Sequence, residues 1–184
     1  MYQIRIHGRG GQGVVTAAEL IAIAAFFDGY QAQAFPSFGV ERTGAPIESY
    51  VRLGRQPIRT REHVYQPDVL IVQDASLIGT FNITHGCSAK TLMVVNSAKH
   101  KDEIKVNLPP KNLFIMDATK IALEEIGKNI VNTVILGAFS RATELISLPS
   151  LKRAIKQKFA SKGEAIINKN LRAIECAYNQ GFNK

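Results

Sequence analysis

The chain has 184 residues, 46% of them hydrophobic and 21% charged, and carries a formal net charge of +8. That length suits one α/β domain spanning residues 1–184 with a core of its own, and it excludes a second large domain. No stretch approaches the roughly 20 apolar residues of a membrane span, no charged-then-apolar leader opens the chain, and Cys87 and Cys176 stand far apart outside any C-x-x-C, so a cytoplasmic protein without a metal site or a membrane partner is expected.

Tyr2-Gln3-Ile4-Arg5-Ile6-His7 reads as a short apolar strand and runs straight into Gly8-Arg9-Gly10-Gly11-Gln12-Gly13, after which a helix is predicted over 12–27. The spacing of Gly8, Gly10 and Gly13 satisfies G-x-G-x-x-G. Glycines in that pattern permit a tight turn and close backbone approach, while the helix N-terminus offers unpaired N–H groups to an anion. The turn therefore implies a site for a nucleotide-like anion, against the alternative that it merely reverses the chain. His7, at the end of the strand, reads either as an acid–base group or as a hydrogen-bonded structural histidine.

A dinucleotide site of this type places an acid about 20 residues further on, at the end of the second strand, to hold the ribose hydroxyls. The second strand, Tyr30 to Phe35, ends at Pro36 without one, and Asp28 precedes it. A nicotinamide or flavin dinucleotide is disfavoured, and a phosphate cradle without a ribose clamp remains. The segment Phe35-Pro36-Ser37-Phe38-Gly39-Val40-Glu41-Arg42-Thr43-Gly44-Ala45-Pro46 matches neither helix nor strand. Prolines and glycines fix its path, and its aromatics need a surface to pack on. It reads as a loop that docks a ligand or partner, or as one packed on its own sheet.

Residues 47–53 alternate as a strand with one buried face, and 69–73, 91–96 and 113–116 are near-continuous apolar runs of the kind covered on both faces. They imply a three-layer, Rossmann-like α/β domain with a mainly parallel sheet flanked by helices. Those helices are predicted over 76–84, 118–128, 132–146, 150–160 and 164–181. The polar strand ends Gln73-Asp74, Asn96-Ser97 and Asp117-Ala118-Thr119 read as helix caps, as ligand contacts at the carboxyl edge, or as both. Among the cations, Arg52, Arg55, Arg59 and Arg61 are grouped for recognition. Lys152, Arg153, Lys156, Lys158 and Lys162 read as a solvated helix face. No nucleic-acid motif accompanies the charge, so no nucleic-acid partner is expected.

The glycine turn Gly8 to Gly13 with Val14-Val15-Thr16-Ala17, followed by the loop Phe35 to Pro46, resembles the gamma subunit of 2-oxoacid:ferredoxin oxidoreductases, and the resemblance covers essentially the whole chain. Within that family Glu41-Arg42-Thr43-Gly44-Ala45-Pro46 looks like the pyruvate or 2-ketoisovalerate branch rather than the 2-oxoglutarate branch. Pyruvate, converted to acetyl-CoA and CO2, is the expected substrate, against the alternatives of the other two oxoacids or of an assembly subunit whose glycine turn is vestigial.

The resemblance implies one part of an enzyme that oxidatively decarboxylates a 2-oxoacid to an acyl-CoA and passes electrons to ferredoxin or flavodoxin. Thiamine diphosphate, magnesium and iron–sulfur clusters then belong to alpha, beta and delta subunits, and this chain supplies a scaffold and a coenzyme A contact. No catalytic residue is expected in it. Its coenzyme A site would comprise Gly8, the amides of Gly10, Gly11, Gln12 and Gly13, a charged contact from Arg9, and Thr16. Phe35, Pro36, Phe38 and Pro46 would pack on the partner subunits, with Glu41 and Arg42 making charged contacts there.

Overall fold

Alternation along the first strand decides what each face of the sheet receives. In the computed structural model, which describes residues 1–37 and 43–183, β1 (Tyr2–Arg9) buries Ile4 and Ile6 against helices and turns Arg5 and His7 to the opposite face. Among the described residues the strands that follow are β2 (Gln31–Pro36), β3 (Pro46–Gly54), β4 (Val69–Val72), β5 (Leu92–Asn96) and β6 (Leu113–Met116). The sheet order is β2-β3-β1-β4-β5-β6. β1, β4, β5 and β6 pair in parallel, while β3 runs antiparallel to both β1 and β2, with His7 opposite Glu48. The mainly parallel α/β sheet expected from the apolar runs is present, and every residue of β4 is buried.

Among the described residues the α-helices are α1 (Val14–Phe27), α2 (Ala118–Glu125), α3 (Val131–Thr143), α4 (Leu148–Lys158) and α5 (Glu164–Asn179). All of them contribute to one core, with Ile4, Ile6, Val51 and Leu53 beneath them. The opposite face of the sheet presents Leu70, Val72, Met93, Val95, Leu113 and Ile115. These are covered by Leu77, Ile83 and Ile104 from turns and loops. The helix expected over 76–84 is absent. Asp74 caps only a 3-10 turn, Ala75–Leu77, and Gly79, at φ 82°, turns the chain away before an α-helix can propagate.

α1 lies at the centre of the helical layer, against β2, β3, α3 and α4. Its C-terminal Asp28 accepts hydrogen bonds from Ser147 N (2.7 Å), Ser147 Oγ (2.8 Å) and Ser150 Oγ (2.6 Å), fixing the start of α4. α3 and α5 approach closely at Gly137, where a Cβ would stand 2.4 Å from the Ile174 carbonyl oxygen. On α4, Lys158 pairs with Glu19 at 2.7 Å, Lys152 pairs with Glu175, and Arg153 lies over the Phe27 ring at 3.9 Å. The tail returns to the free edge of β6: Phe182 packs edge-on against Phe114, and Asn183 N donates to the Ile115 carbonyl at 2.8 Å. No described helix is long and apolar enough to cross a membrane.

Candidate functional site

The turn between β1 and α1 is built by close packing. A Cβ at Gly8 would stand 2.5 Å from Val14 Cγ2, so strand and helix meet there only because no side chain intervenes. Gly13 takes the helix N-cap position at φ 71°, ψ 34°, a left-handed conformation, and supplies no side-chain cap. The first α1 amide to find a helical carbonyl is Ala17 N, 3.0 Å from Gly13 O. The amides of Gly11, Gly13, Val14, Val15 and Thr16 donate to no described acceptor. They stand at the positive end of a 14-residue helix. Gly10, Gly11, Gly13, Val14, Val15, Thr43 and Ile47 line a depression of about 410 Å³ over them. Thr16 is half-buried and does not line it.

Two of the four amides expected to hold the anion are committed elsewhere. Gly10 N donates to Ala45 O at 2.8 Å and Gln12 N to Arg9 O at 3.0 Å, ties that close the turn on itself and on the 43–45 segment. Arg9 departs from expectation as well. Its Nε donates to Asp74 Oδ2 at 3.1 Å, Nη1 to Gly44 O at 3.1 Å and Nη2 to Ser76 Oγ at 2.8 Å. The guanidinium is a clamp joining three segments, and its charge is compensated by Asp74 rather than offered to the depression. Burial raises the Asp74 pKa, but the bonds from Ser76 and Gln12 and the charge of Arg9 outweigh it and hold the carboxyl below its ordinary value.

His7 is buried, yet it is not the hydrogen-bonded histidine of the structural reading: its Nε2 has no hydrogen-bond partner among the described residues. Burial pushes its pKa down to about 4, against the pull of Glu48 and with the help of Arg5. The 3.5 Å contact from Nδ1 to Glu48 Oε1 is therefore no ion pair at neutral pH. Glu48 Oε2 instead accepts from Tyr50 OH at 2.7 Å, and burial together with that bond pushes the Tyr50 hydroxyl up to about 12.

Of the expected partner-facing residues, Phe35 is half-buried, its ring against Tyr50 (5.3 Å between centroids) and beneath the Arg52 guanidinium (5.4 Å). Pro36 ends β2 opposite Ser49, and Pro46 is exposed at the start of β3. Phe35 and Pro36 share a cleft of about 510 Å³ with Gln33, Arg61 and His63. Phe38, Glu41 and Arg42 lie outside the described residues. The arginine group divides. Arg52 is buried and donates to the Glu62 and His63 carbonyls, Arg55 stacks on Tyr30 at 4.0 Å, and Arg59 and Arg61 stay exposed.

At the carboxyl edge the polar strand ends serve as caps and also frame a second cleft. Asp117 Oδ1 accepts from Lys120 N at 2.8 Å, and Asn96 Oδ1 from Thr119 N at 3.1 Å. Gln12, Gln73, Asp74, Asn96, Thr119 and Asn129 line a polar space of about 270 Å³ there. Sequence reasoning missed Asn129, which belongs to a connection between helices that carries no motif. Among the described residues no group of three His, Cys, Asp or Glu side chains is placed to hold a metal ion. Both thiols are half-buried, and burial raises the pKa of each.

Residues 3–180 match the family model described as pyruvate ferredoxin/flavodoxin oxidoreductase. The chain is 46% identical over 183 residues to the pyruvate/ketoisovalerate oxidoreductases common subunit gamma of Pyrococcus furiosus, covering 98% of this chain and 97% of that one. It is 44% identical over 185 residues to the pyruvate synthase subunit PorC of Methanocaldococcus jannaschii, covering 100% and 99%. Its fold matches the crystal structure of the pyruvate oxidoreductase subunit PORC of Thermotoga maritima with a TM-score of 0.83 at 34% identity, over 97% of this chain and 96% of that one.

Proposed function

The chain belongs to the pyruvate ferredoxin/flavodoxin oxidoreductase family, and from that premise we propose that it is the gamma subunit of a multisubunit pyruvate:ferredoxin or pyruvate:flavodoxin oxidoreductase, contributing assembly contacts and a coenzyme A site. The observation that carries the coenzyme A reading is the row of uncommitted amides at the uncapped N-terminus of α1, open to the 410 Å³ depression. A diphosphate set against Gly11, Gly13 and Val14 accepts their hydrogen bonds and meets the positive end of the helix, with no side-chain cation required. Reaction chemistry resides with thiamine diphosphate and iron–sulfur clusters in alpha, beta and delta subunits. This chain's residues bind and orient the thiol substrate. Relatives named for both pyruvate and ketoisovalerate support those two substrates over 2-oxoglutarate.

The partner surface comprises Phe35, Pro36 and Pro46 with the adjoining residues Phe38, Glu41 and Arg42. A cleft lined by Phe35 and Pro36 beside β2 supports it.

Gly11 supplies the test. Among the described residues a Cβ there meets only Thr43 Cγ2 at 4.0 Å, and Asn and Asp tolerate positive φ better than other side chains. In the assembled complex Gly11→Asp sets a negative charge over the free amides and should raise KM for coenzyme A about tenfold or more, with Gly11→Asn as the neutral control. An unchanged KM in Gly11→Asp would favour the second reading, an assembly subunit with a vestigial turn. The internal use of the Gly10 and Gln12 amides already speaks for that reading.

A further inference from the structure

Gln73 is 1% exposed, and both polar atoms of its side chain, Nε2 and Oε1, lack a hydrogen-bond partner among the described residues. Leaving a buried carboxamide unsatisfied at both ends costs about 1–3 kcal/mol for each group, so such a residue stands out from ordinary packing. Its surroundings show where the missing partner belongs. Gln73 follows β4 at the carboxyl edge of the sheet and lines the 270 Å³ polar cleft. Its Oε1 lies over Gly8 beside Gln12 Oε1: a Cβ at Gly8 would stand 3.3 Å from the first and 3.1 Å from the second.

Apart from Asn129 on the exposed rim, the other polar side chains of the cleft are spoken for. Gln12 Oε1 accepts from Arg9 N at 2.7 Å. The Asp74 carboxylate receives four donors, from Arg9 Nε, Gln12 Nε2, Ser76 N and Ser76 Oγ. Asn96 is consumed by Thr119 and the Gln73 carbonyl. Among the described residues no Lys or Arg lines the space, and the one carboxylate there is saturated, which argues against both an anion and a cation. Its size is below the roughly 300–1,000 Å³ of a whole-ligand pocket, so it suits one ring or one amide of a larger molecule.

We propose that this cleft is a recognition subsite for an uncharged planar group that presents a donor and an acceptor side by side, read by the Gln73 carboxamide. Gln73 Oε1 takes an N–H from the group, and Gln73 Nε2 gives one to its adjacent nitrogen or carbonyl oxygen. Gln12 lines this cleft and Gly13 lines the depression over α1, so the two spaces lie on adjacent residues of the glycine turn, and the proposal takes one extended ligand to reach both. The proposal rests on the coenzyme A reading for the identity of that ligand. Coenzyme A offers that side-by-side pair at the N6–H/N1 edge of its adenine, whereas each trans secondary amide of its pantetheine arm holds its donor and acceptor on opposite sides and meets Gln73 through one of them at a time.

The test uses the assembled complex carrying wild-type, Gln73→Met or Asn129→Ala gamma chain. KM is measured for coenzyme A and for 1,N6-etheno-coenzyme A, whose base has lost its N6–H donors and N1 acceptor to an added ring. If Gln73 reads the adenine edge, the wild-type complex prefers coenzyme A by about tenfold in KM, Gln73→Met abolishes the preference, and kcat is retained. If it reads an arm amide, the wild-type complex treats the two thiols alike, and Gln73→Met raises KM for both by about the same factor. KM values for Gln73→Met equal to wild type with both thiols would overturn the proposal and leave the cleft to water. Should Gln73→Met lower the melting temperature, Asn129→Ala on the exposed rim carries the test and must move KM in the same direction. Gly11→Asp reports separately. It should raise KM for both thiols in every case, so its failure removes the diphosphate reading and leaves the Gln73 result standing.

Discussion

Asn132 Nδ2 occupies the space that a side chain at Gly13 would need: an ideal Cβ on Gly13 lies 2.3 Å from it. The contact joins the starts of α1 and α3, both without a side-chain cap. Gly13→Ala must bear the clash and a left-handed φ together, and we expect a loss of about 2–4 kcal/mol in stability by urea denaturation. Adding Asn132→Gly removes the clash and leaves the φ strain, so the double variant should recover about half of the loss. Equal stability of the single and double variants would show that the contact is not the constraint.

Arg9 and Asp74 come from segments 65 residues apart and hold the glycine turn against the 43–45 segment and the 3-10 turn. Both side chains keep part of their surface in solvent, 31% and 21%, which weakens the pair by screening. A double-mutant cycle with Arg9→Gln and Asp74→Asn should return a coupling of about 1 kcal/mol that shrinks in high salt. The matching functional expectation concerns position rather than charge. Arg9→Lys, which loses the three-way fork, should raise KM for coenzyme A nearly as much as Arg9→Gln.

His7 is held neutral, its pKa pushed from 6.5 to about 4 chiefly by burial, with Glu48 opposing and Arg5 assisting. A depressed pKa means that the unfolded chain takes up the proton first, so the stability contributed is complete above pH 6.5 and is lost as pH falls toward 4. The full loss amounts to about 3 kcal/mol. Melting temperatures measured across that window should fall more steeply for the wild-type chain than for His7→Gln. Parallel curves would assign the acid sensitivity to other groups.

At Gly137 a substitution that improves helix propensity should nevertheless destabilise. Its Cβ would meet the Ile174 carbonyl oxygen at 2.4 Å and Ala177 Cβ at 3.0 Å, so α5 must move away from α3. We expect Gly137→Ala to cost about 2 kcal/mol or more, outweighing the roughly 1 kcal/mol that alanine gains in a helix interior. Hydrogen exchange should show the loosening in α5 first.

Much of this architecture was legible in the chain. The glycine spacing announced a strand, a turn and a helix, and the apolar runs at 69–73, 91–96 and 113–116 announced parallel strands covered on both faces. The direction of β3 was not, because alternation reads the same both ways along a strand. The false helix over 76–84 arose because apolar residues at helical spacing also serve a loop that fills one face of a sheet. Long-range pairing hid the role of Arg9: a cation beside a glycine turn looks like an anion ligand until Asp74 is brought to it by the fold. Gln73 carried only a local signal, that of a polar residue closing an apolar run, and its isolation depends on the long-range partners taken by Gln12, Asp74 and Asn96.

The return of residues 182 and 183 along β6 bears on how the protein is handled. Protease trimming that removed Phe182 and Asn183 would strip the cover from Phe114 and the Ile115 carbonyl, leaving an open strand on which another molecule can build. Self-association on storage is the expected symptom, and intact mass would diagnose it before any change in secondary structure did.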